Sequence, residues 1–293
     1  MTISITSPTS NTGAIQQNGS NVLTIDSSNR LTATNGIYIN GALASGYTMK
    51  NRIINGGMVI DQRNAGASIT PTTDTYSVDR WKCNVSASSK YSAQQNAGSV
   101  TPPAGFTNYL GITSLSAYTV GAGETYGIFQ SIEGYNTADL NWGTANAKTV
   151  TLSFWVRSSL TGTFGLCIVN GYASTYSYPV TYTISAANTW QQISITIPGP
   201  TAGSWNTTTG TGMSIYFGLG IGSTYAGTSG SWSASQLYGA TGATSVVGTN
   251  GATWYITGVQ LEKGSVATPF EQRPYTTEQQ LCQRYYYNFC NST

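Results

Sequence analysis

The chain has 293 residues, of which 8% are charged and 12% are aromatic, with a formal net charge of +2. Its lysines and arginines are scattered singly, so the clustered positive charge that phosphate binding needs is missing, and we expect no nucleic-acid partner. Histidine is absent, which removes the usual general base and nearly every zinc site. No apolar run approaches the roughly 20 residues that span a bilayer, so we expect no membrane insertion. The many tyrosines and tryptophans instead predict an ordered, turn-rich β protein.

Cysteine usage and the N-terminus indicate where the protein is made. Cys83, Cys167, Cys282 and Cys290 show neither CxxC spacing nor a dense framework, so we interpret them as free thiols in a reducing compartment. The opening MTISITSPTS lacks the basic and apolar blocks of a secretory signal. The rest of the sequence is typical of an extracellular β-domain. Assembly in a host bacterial cytoplasm, followed by release through lysis as in a virus particle, reconciles the two observations.

Residues 1–50 differ from the rest and are interpreted as an N-terminal attachment or stalk segment. Short strands are predicted at Val22–Ile25 and Ile37–Asn40, separated by Ser-Asn and Asn-Gly turn signals. So few apolar residues cannot bury a core alone. Pairing with copies of itself around a threefold axis would bury them, and the alternative is a frayed arm.

Residues 51–275 alternate between apolar and polar side chains with a period of two. In TVTLSFWVRS (149–158), the apolar positions from Val150 to Val156 point to one side. Trp155 and Trp190 fall on the opposite face, either buried between subunits or forming a binding platform. Nine strands are predicted, over 78–86, 108–115, 124–133, 149–158, 163–170, 179–185, 190–197, 213–221 and 253–261. This spacing predicts an all-β fold, a jelly-roll β-sandwich with one face of each sheet buried.

Residues 276–293 are predicted to form a C-terminal helix and tail. Thr276 with Gln279 three residues later matches a capping box. Leu281, Tyr285 and Phe289 then recur at intervals of four, along one helical stripe. A helix this short is marginal alone, so we expect it to pack on the sandwich or on its symmetry mates.

Three segments together resemble the carbohydrate-binding-module-like jelly-roll domain of bacteriophage tail fibres and related virion proteins. They are NRIINGGMVIDQR with YSVDRW (51–81), the block from TVTLSFWVRSS to SIYFGL (149–219), and WYITGVQLEKGSVATPFEQRPYTTEQQLCQRYY (254–286). The resemblance implies a jelly roll whose first and last strands lie side by side, a trimeric assembly and a virion location.

Some related modules hold calcium with acids in the last strand. The stretch Ile256–Val259 has none, and Asp61 alone is a poor calcium site, so we expect neither metal nor cofactor.

Catalysis would have to use carboxylates. A glycosidase needs two of them, roughly 5 to 10 Å apart. Asp74 with Asp79, and Glu124 with Glu133, differ by odd numbers, so on a continuous strand the members of each pair would face opposite sides. We therefore expect no enzyme and no catalytic residues. Asp79 and its neighbour Arg80 are interpreted as a structural ion pair or as a loop hydrogen bond.

Aromatic residues in turn-rich stretches are the candidates for sugar binding, because exposed rings stack on pyranose faces. Several fall in the Gly- and Ser-rich loop 222–244, and long loops are often functional. The candidate carbohydrate-binding residues are Tyr172, Tyr176, Tyr178, Trp205, Tyr225, Trp232 and Tyr238. In the alternative interpretation, these rings cover loop edges or fill a trimer interface.

The sequence thus predicts a structural protein on the surface of a bacteriophage particle. One hypothesis is a trimeric tail-fibre or receptor-binding protein that contacts host surface polysaccharide. The other is a capsid decoration (cement) protein that stabilises the head without binding sugar. The expected partners are two further copies of the chain, other virion proteins of the tail, baseplate or major capsid, and, for the fibre hypothesis, a host surface glycan.

Overall fold

The computed structural model describes residues 49–171 and 176–288, and before residue 49 it describes the backbone of short strands only. The chain divides into two compact units, Met1–Met49 and Lys50–Thr293. In the first unit, β1 to β4 form an antiparallel sheet in chain order and β5 pairs with β6. The strands are β1 Ser4–Thr6, β2 Gly13–Gln17, β3 Ser20–Ile25, β4 Leu31–Ala33, β5 Tyr38–Ile39 and β6 Ala42–Leu43. Sequence analysis found only the regions of β3 and β5.

The second unit consists of two antiparallel sheets that face each other across one apolar core. The five-stranded sheet has the spatial order β15 Gln191–Ile197, β12 Val150–Ser158, β19 Thr253–Lys263, β10 Leu110–Ser114 and β9 Tyr91–Gln95. The six-stranded sheet has the order β14 Ser177–Ile184, β13 Gly162–Asn170, β16 Thr211–Ile221, β11 Thr125–Glu133, β8 Lys82–Val85 and β7 Thr75–Tyr76. From β10 to β13 the chain changes sheet at every step. The predicted jelly-roll β-sandwich is confirmed.

All nine predicted strands are present, with ends that differ by a few residues. Strand β9 was missed because its sequence, YSAQQ, carries little apolar alternation. The shorter elements are the parallel pair β17 Ala226–Gly227 and β18 Gly239–Ala240, and four 3-10 turns at Ala97–Ser99, Gly134–Asn136, Ala138–Leu140 and Ser223–Tyr225.

Aromatic rings from both sheets meet at the centre of the core. The Phe217 ring of β16 lies 5.1 Å from the Phe154 ring of β12, 5.8 Å from that of Trp254 in β19 and 6.1 Å from that of Trp81. All four side chains are fully buried. Because burying one such side chain stabilises a fold by about 1.5–3 kcal/mol, this contact is a main link between the sheets.

Trp155 and Trp190 face away from this core, as predicted, and are half-buried. The Trp190 indole donates a hydrogen bond to the Thr101 carbonyl at 2.9 Å, and its ring lies edge-on to Tyr109. The chain's own loop 97–109 therefore covers part of the outer face of the five-stranded sheet.

The segment Asn51–Gly56 completes the five-stranded sheet beside the last strand. Strand β10 pairs with β19 only as far as Ile256. Beyond that point the Val259 amide donates to the Gly56 carbonyl, and the Arg52 amide donates to the Leu261 carbonyl, both at 2.9 Å. A Cβ at position 56 would overlap the Val259 carbonyl. The glycine is therefore required for this close approach of two backbones.

Two buried asparagines hold this segment in place. The Asn51 amide oxygen accepts hydrogen bonds from the Ile53 and Leu261 amides at 3.0 Å, and its nitrogen donates to the Val259 carbonyl. Asn55, with φ +56°, accepts from the Ile60 amide and donates to the Ile60 and Asp79 carbonyls. Buried backbone groups in an irregular segment have no neighbouring strand or helix to bond with. The two asparagine side chains supply the hydrogen-bond partners that these groups need.

Helix α1 spans Tyr275–Gln283 and packs on the sandwich. The predicted capping box is wrong: Pro274 occupies the N-cap position and no side chain caps the helix. The helix is fixed instead by the buried Glu278 carboxylate, which accepts a hydrogen bond from the backbone N–H of Asn55 and forms an ion pair with Arg273. Leu281 and Tyr285 pack on the buried cluster of Ile54, Ile60 and Cys282. The helix ends at Gln283, so Tyr285 lies beyond it and the predicted stripe is helical only at Leu281, while Phe289 lies outside the described residues. The described part of the chain holds no helix with the length and apolarity that a bilayer span demands.

We expect Asn55→Ala to lower the free energy of unfolding by about 3–5 kcal/mol, because it leaves several buried backbone groups unpaired. Asn188→Ala is the matched control, since Asn188 has the same left-handed backbone, with φ +55°, but is exposed. It should lose only about 1 kcal/mol. Urea unfolding of both variants measures the two losses of unfolding free energy. Equal losses would mean that the hydrogen bonds of the Asn55 side chain do not stabilise the fold.

Candidate functional site: a groove on the six-stranded sheet

A groove with a volume of about 490 Å³ lies on the outer face of the six-stranded sheet. Its floor consists of outward-facing side chains of β8, β11 and β16, and the loop 222–244 forms a wall. The residues that line it are Asp74, Asn84, Ser86, Gly123, Thr125, Phe129, Val169, Asn170, Gly171, Ser214, Tyr216, Tyr225, Gln236 and Tyr238.

Glycines on the outward face make room for large rings there. Gly127 pairs with Gly218 across β11 and β16. A Cβ at Gly127 would overlap the Tyr216 ring and lie 2.6 Å from the Phe217 carbonyl oxygen. The Tyr216 ring can therefore lie across the neighbouring strand only because position 127 has no side chain.

Four aromatic rings form a row along the groove. Phe129 and Tyr216 are cross-strand partners, and their rings stack with centroids 5.7 Å apart and planes 10° apart. Tyr238 lies 5.0 Å from Tyr216, and Tyr225 lies 5.5 Å from Tyr238. Tyr216 is buried by its neighbours, whereas Phe129, Tyr225 and Tyr238 remain half-exposed to the groove. The half-exposed rings are the ones that a ligand can reach.

A hydrogen-bond network runs beside these rings. The Asn84 side-chain oxygen accepts from the Thr125 hydroxyl at 2.8 Å and from the Tyr216 hydroxyl. Its nitrogen donates to the Asp74 carboxylate at 3.0 Å. Burial raises the pKa of Tyr216 well above its ordinary value of 10, so its hydroxyl keeps the proton that it donates.

The wall contributes two further polar groups. The exposed side-chain amide of Gln236 donates a hydrogen bond to the Tyr238 hydroxyl, and among the described residues this hydroxyl donates to no other group. Burial raises the pKa of Tyr238 as well, so the hydroxyl stays protonated and can donate to a ligand. The groove thus offers ring surface, hydroxyls, an amide and one carboxylate within a single concavity.

The structure divides the predicted sugar-binding residues into two groups. Tyr225 and Tyr238 line the groove. Tyr176, Tyr178, Trp205 and Trp232 gather elsewhere, around Trp142 at the β14 edge of the same sheet. Tyr172 lies outside the described residues.

In the second group the rings contact mainly one another. Trp232 stacks on Tyr176 at 5.6 Å and meets Trp142 edge-on at 5.4 Å. The indole nitrogens of Trp142, Trp205 and Trp232 donate to the carbonyls of Lys148, Ala202 and Pro198, respectively. Both Trp205 and Trp232 pack against the main core. Their polar atoms and much of their ring surface are therefore used within the chain.

Phe129, Tyr216 and Asn84 line the groove but are not among the predicted sugar-binding residues. The signal that could have found them is the pattern of outward positions in β11 and β16, where rings alternate with glycine. An outward glycine in a strand often marks a place where another group approaches closely. In the sequence, Asp74 stands out only as a candidate acid.

Nine of the ten Asp and Glu residues lie in the described part of the chain, and each has a structural partner. Two are bound by backbone amides: Asp61 by Asn64 and Gly66, and Asp79 by Gln62. Glu271 accepts from the backbone amides of Lys50 and Asn51 and also pairs with Arg273. The others bond side chains as well: Asp74 with Asn84, Glu124 with Tyr118, Glu133 with Arg284, Asp139 with Arg52, Glu262 with Thr268, and Glu278 with Arg273.

Asp79 and Arg80 do not pair with each other. The Asp79 carboxylate accepts a hydrogen bond from the Gln62 amide at 2.6 Å, and burial raises its pKa. The Arg80 guanidinium instead lies over the Tyr285 ring, 3.4 Å from its centroid. Of the two interpretations, the loop hydrogen bond is correct. Within the described residues, no three Asp, Glu, Cys or His side chains come together as a metal site would require.

No protein-family model matches the sequence, and no curated protein matches it. Among solved structures, the chain is similar to the enzymatically active domain of tailspike protein 4 from bacteriophage CBA120, at 14% identity and a TM-score of 0.38. This match covers 76% of our chain and 22% of the tailspike domain.

Two carbohydrate-binding modules are also similar. The family 11 module from Clostridium thermocellum, solved with a mixed-linked β-1,3-1,4 tetrasaccharide, matches at 11% identity and a TM-score of 0.31, over 69% of our chain and 98% of the module. The xylan-binding CBM22-1 domain from Paenibacillus barcinonensis matches at 10% identity and a TM-score of 0.33, over 69% of our chain and 97% of that domain.

Gly127→Ala should displace the Tyr216 ring and lower the free energy of unfolding by about 1–3 kcal/mol, because the added methyl has no room. Gly123→Ala is the control: it lines the same groove, but an added Cβ would meet nothing within 4 Å. Urea unfolding and near-ultraviolet circular dichroism would report the two effects. A Gly127→Ala protein as stable as Gly123→Ala would contradict the tight contact.

Proposed function

We propose that the sandwich is a non-catalytic, glycan-binding head of a bacteriophage surface protein of the tail-fibre or receptor-binding type. The observation that supports this most is the groove, which combines half-exposed Phe129, Tyr225 and Tyr238 rings with hydroxyl and amide groups. Apolar ring faces with a few placed polar groups suit a sugar, which has both C–H faces and hydroxyls.

The size and openness of the groove support an extended ligand. Its volume of about 490 Å³ falls within the roughly 300–1,000 Å³ of ordinary ligand sites. It lies across the strands of a sheet rather than inside the core, so a polymer can enter without a conformational change.

The distribution of carboxylates supports binding without hydrolysis. Asp74 is the one acid among the residues that line the groove, whereas glycoside hydrolysis needs two. The remaining described acids hold backbone amides, side-chain donors or cations elsewhere in the unit. We therefore propose that the groove retains its glycan unchanged.

Tyr238→Ala should weaken glycan binding about tenfold or more, because it removes both a ring surface and a hydroxyl donor from the groove. The full-length chain is titrated with soluble starch, β-glucan, galactomannan and bacterial O-polysaccharides in affinity electrophoresis. Tyr135→Ala serves as the control, since Tyr135 is 61% exposed and does not line the groove. Equal affinity of both variants, or no binding to any polymer, would contradict the proposal.

We also propose that the chain is trimeric and sits at the tail of the particle. Analytical ultracentrifugation should give the mass of three chains. Immunogold labelling with an antibody to residues 51–286 should mark the tail. Label spread over the head would favour the capsid decoration hypothesis and contradict the fibre assignment.

A further inference from the structure

The glycan-binding groove carries a single charge on its lining, and this charge is negative. Among its residues Asp74 is the one ionisable acid, and no lysine or arginine lines it in the part of the chain that the structure describes. The charge of the groove is therefore determined by one exposed carboxylate and its immediate partners.

The Asp74 carboxylate is held in place and only partly neutralised. One oxygen accepts hydrogen bonds from the Asn84 side chain at 3.0 Å and from the Val85 amide at 3.1 Å. The other lies 3.6 Å from the Lys82 ammonium group, and the Asp74 side chain remains 38% exposed. Lys82 in turn lies 5.7 Å from the centroid of the Phe129 ring. An ion pair this long and exposed is weak, so much of the negative charge is available to a ligand.

The other polar groups of the groove are uncharged, so none of them neutralises the carboxylate. The Asn84 donor is used by Asp74, and the Tyr216 proton is donated to Asn84. Four other cations contact different parts of the molecule. Arg52 and Lys263 pair with Asp139, Arg284 pairs with Glu133, and Arg63 lies over the Tyr286 ring.

We infer, given the glycan-binding function proposed above, that Asp74 makes the groove selective for uncharged glycans and excludes acidic ones. A sugar hydroxyl can donate a charge-assisted hydrogen bond to this carboxylate. A uronate or phosphate at the same position would place like charges together with only the long Lys82 ion pair beside them, and such juxtaposition is strongly unfavourable. The same residue thus attracts one class of glycan and rejects the other.

The test compares matched polymers that differ only at C6, which carries an uncharged hydroxymethyl group in one and a carboxylate in the other. Soluble starch, β-glucan and galactomannan are used before and after oxidation of their C6 hydroxyls to carboxylates. At low salt, the full-length protein should bind the neutral forms more tightly by about tenfold or more. The difference should shrink as salt screens the charges.

Two substitutions should change this ratio in opposite directions. Asp74→Asn keeps the shape and an acceptor oxygen, and should reduce the neutral-to-oxidised ratio to below about threefold, since the like charge is gone. Lys82→Gln removes the partial neutralisation and should increase the ratio. Asp139→Asn, an exposed acid outside the groove, is the control and should leave the ratio unchanged. Circular dichroism confirms that each variant is folded.

The possible failures are distinguishable. A wild-type preference for oxidised polymers, or a ratio that Asp74→Asn leaves intact, would overturn the charge selectivity while the glycan-binding function stands. Absence of binding to every polymer, neutral and oxidised, would overturn the proposed function and this inference with it.

Discussion

The second unit depends on the hydrogen bonds that tie its first segment to its last strand. Asn51 bonds both Val259 and Leu261 of β19, and Asn55 bonds the turn that leads to Trp81. The Asn55 carbonyl also accepts from the Trp81 indole at 3.0 Å, which brings the network to the edge of the aromatic core. These hydrogen bonds join residues about two hundred positions apart in sequence, so the two ends of the unit are held together in the folded protein.

The same network explains why the C-terminal helix has no capping side chain. Glu278 would serve a helix in isolation by favouring its first turn. Here its carboxylate bonds the backbone N–H of Asn55 and the Arg273 side chain instead. Arg273 also donates a hydrogen bond to the backbone carbonyl of Asn51. The helix is therefore fixed by tertiary hydrogen bonds from a buried carboxylate rather than by local ones. Its stability is inseparable from that of the sheet it covers.

The groove, in contrast, depends on a position that has no side chain. The outward glycine of β11, Gly127, lets Tyr216 lie flat, and the long loop then returns over the sheet to place Tyr238 beside it. The Tyr216 ring is buried by its neighbours and its hydroxyl donates to Asn84, so this residue supports the exposed rings and does not contact a ligand itself. The surface available for recognition is formed by Phe129, Tyr225, Tyr238 and the polar groups around Asp74.

The sequence by itself determined nine strands of the second unit and the sandwich, because alternation along a strand reflects the single buried face of each sheet. It also identified Tyr225 and Tyr238 as rings in a long loop. Only the tertiary structure decided which rings meet a groove and which pack together. Trp205 and Trp232 resemble Tyr238 in local sequence, yet they contact Trp142 and the core. Likewise, Asp74 and Asn84 are distant from Gln236 along the chain, and only strand pairing places them on one surface. The physical reason is that alternation is a local property, whereas a binding site is assembled from side chains whose proximity is set by register and by the path of the loops.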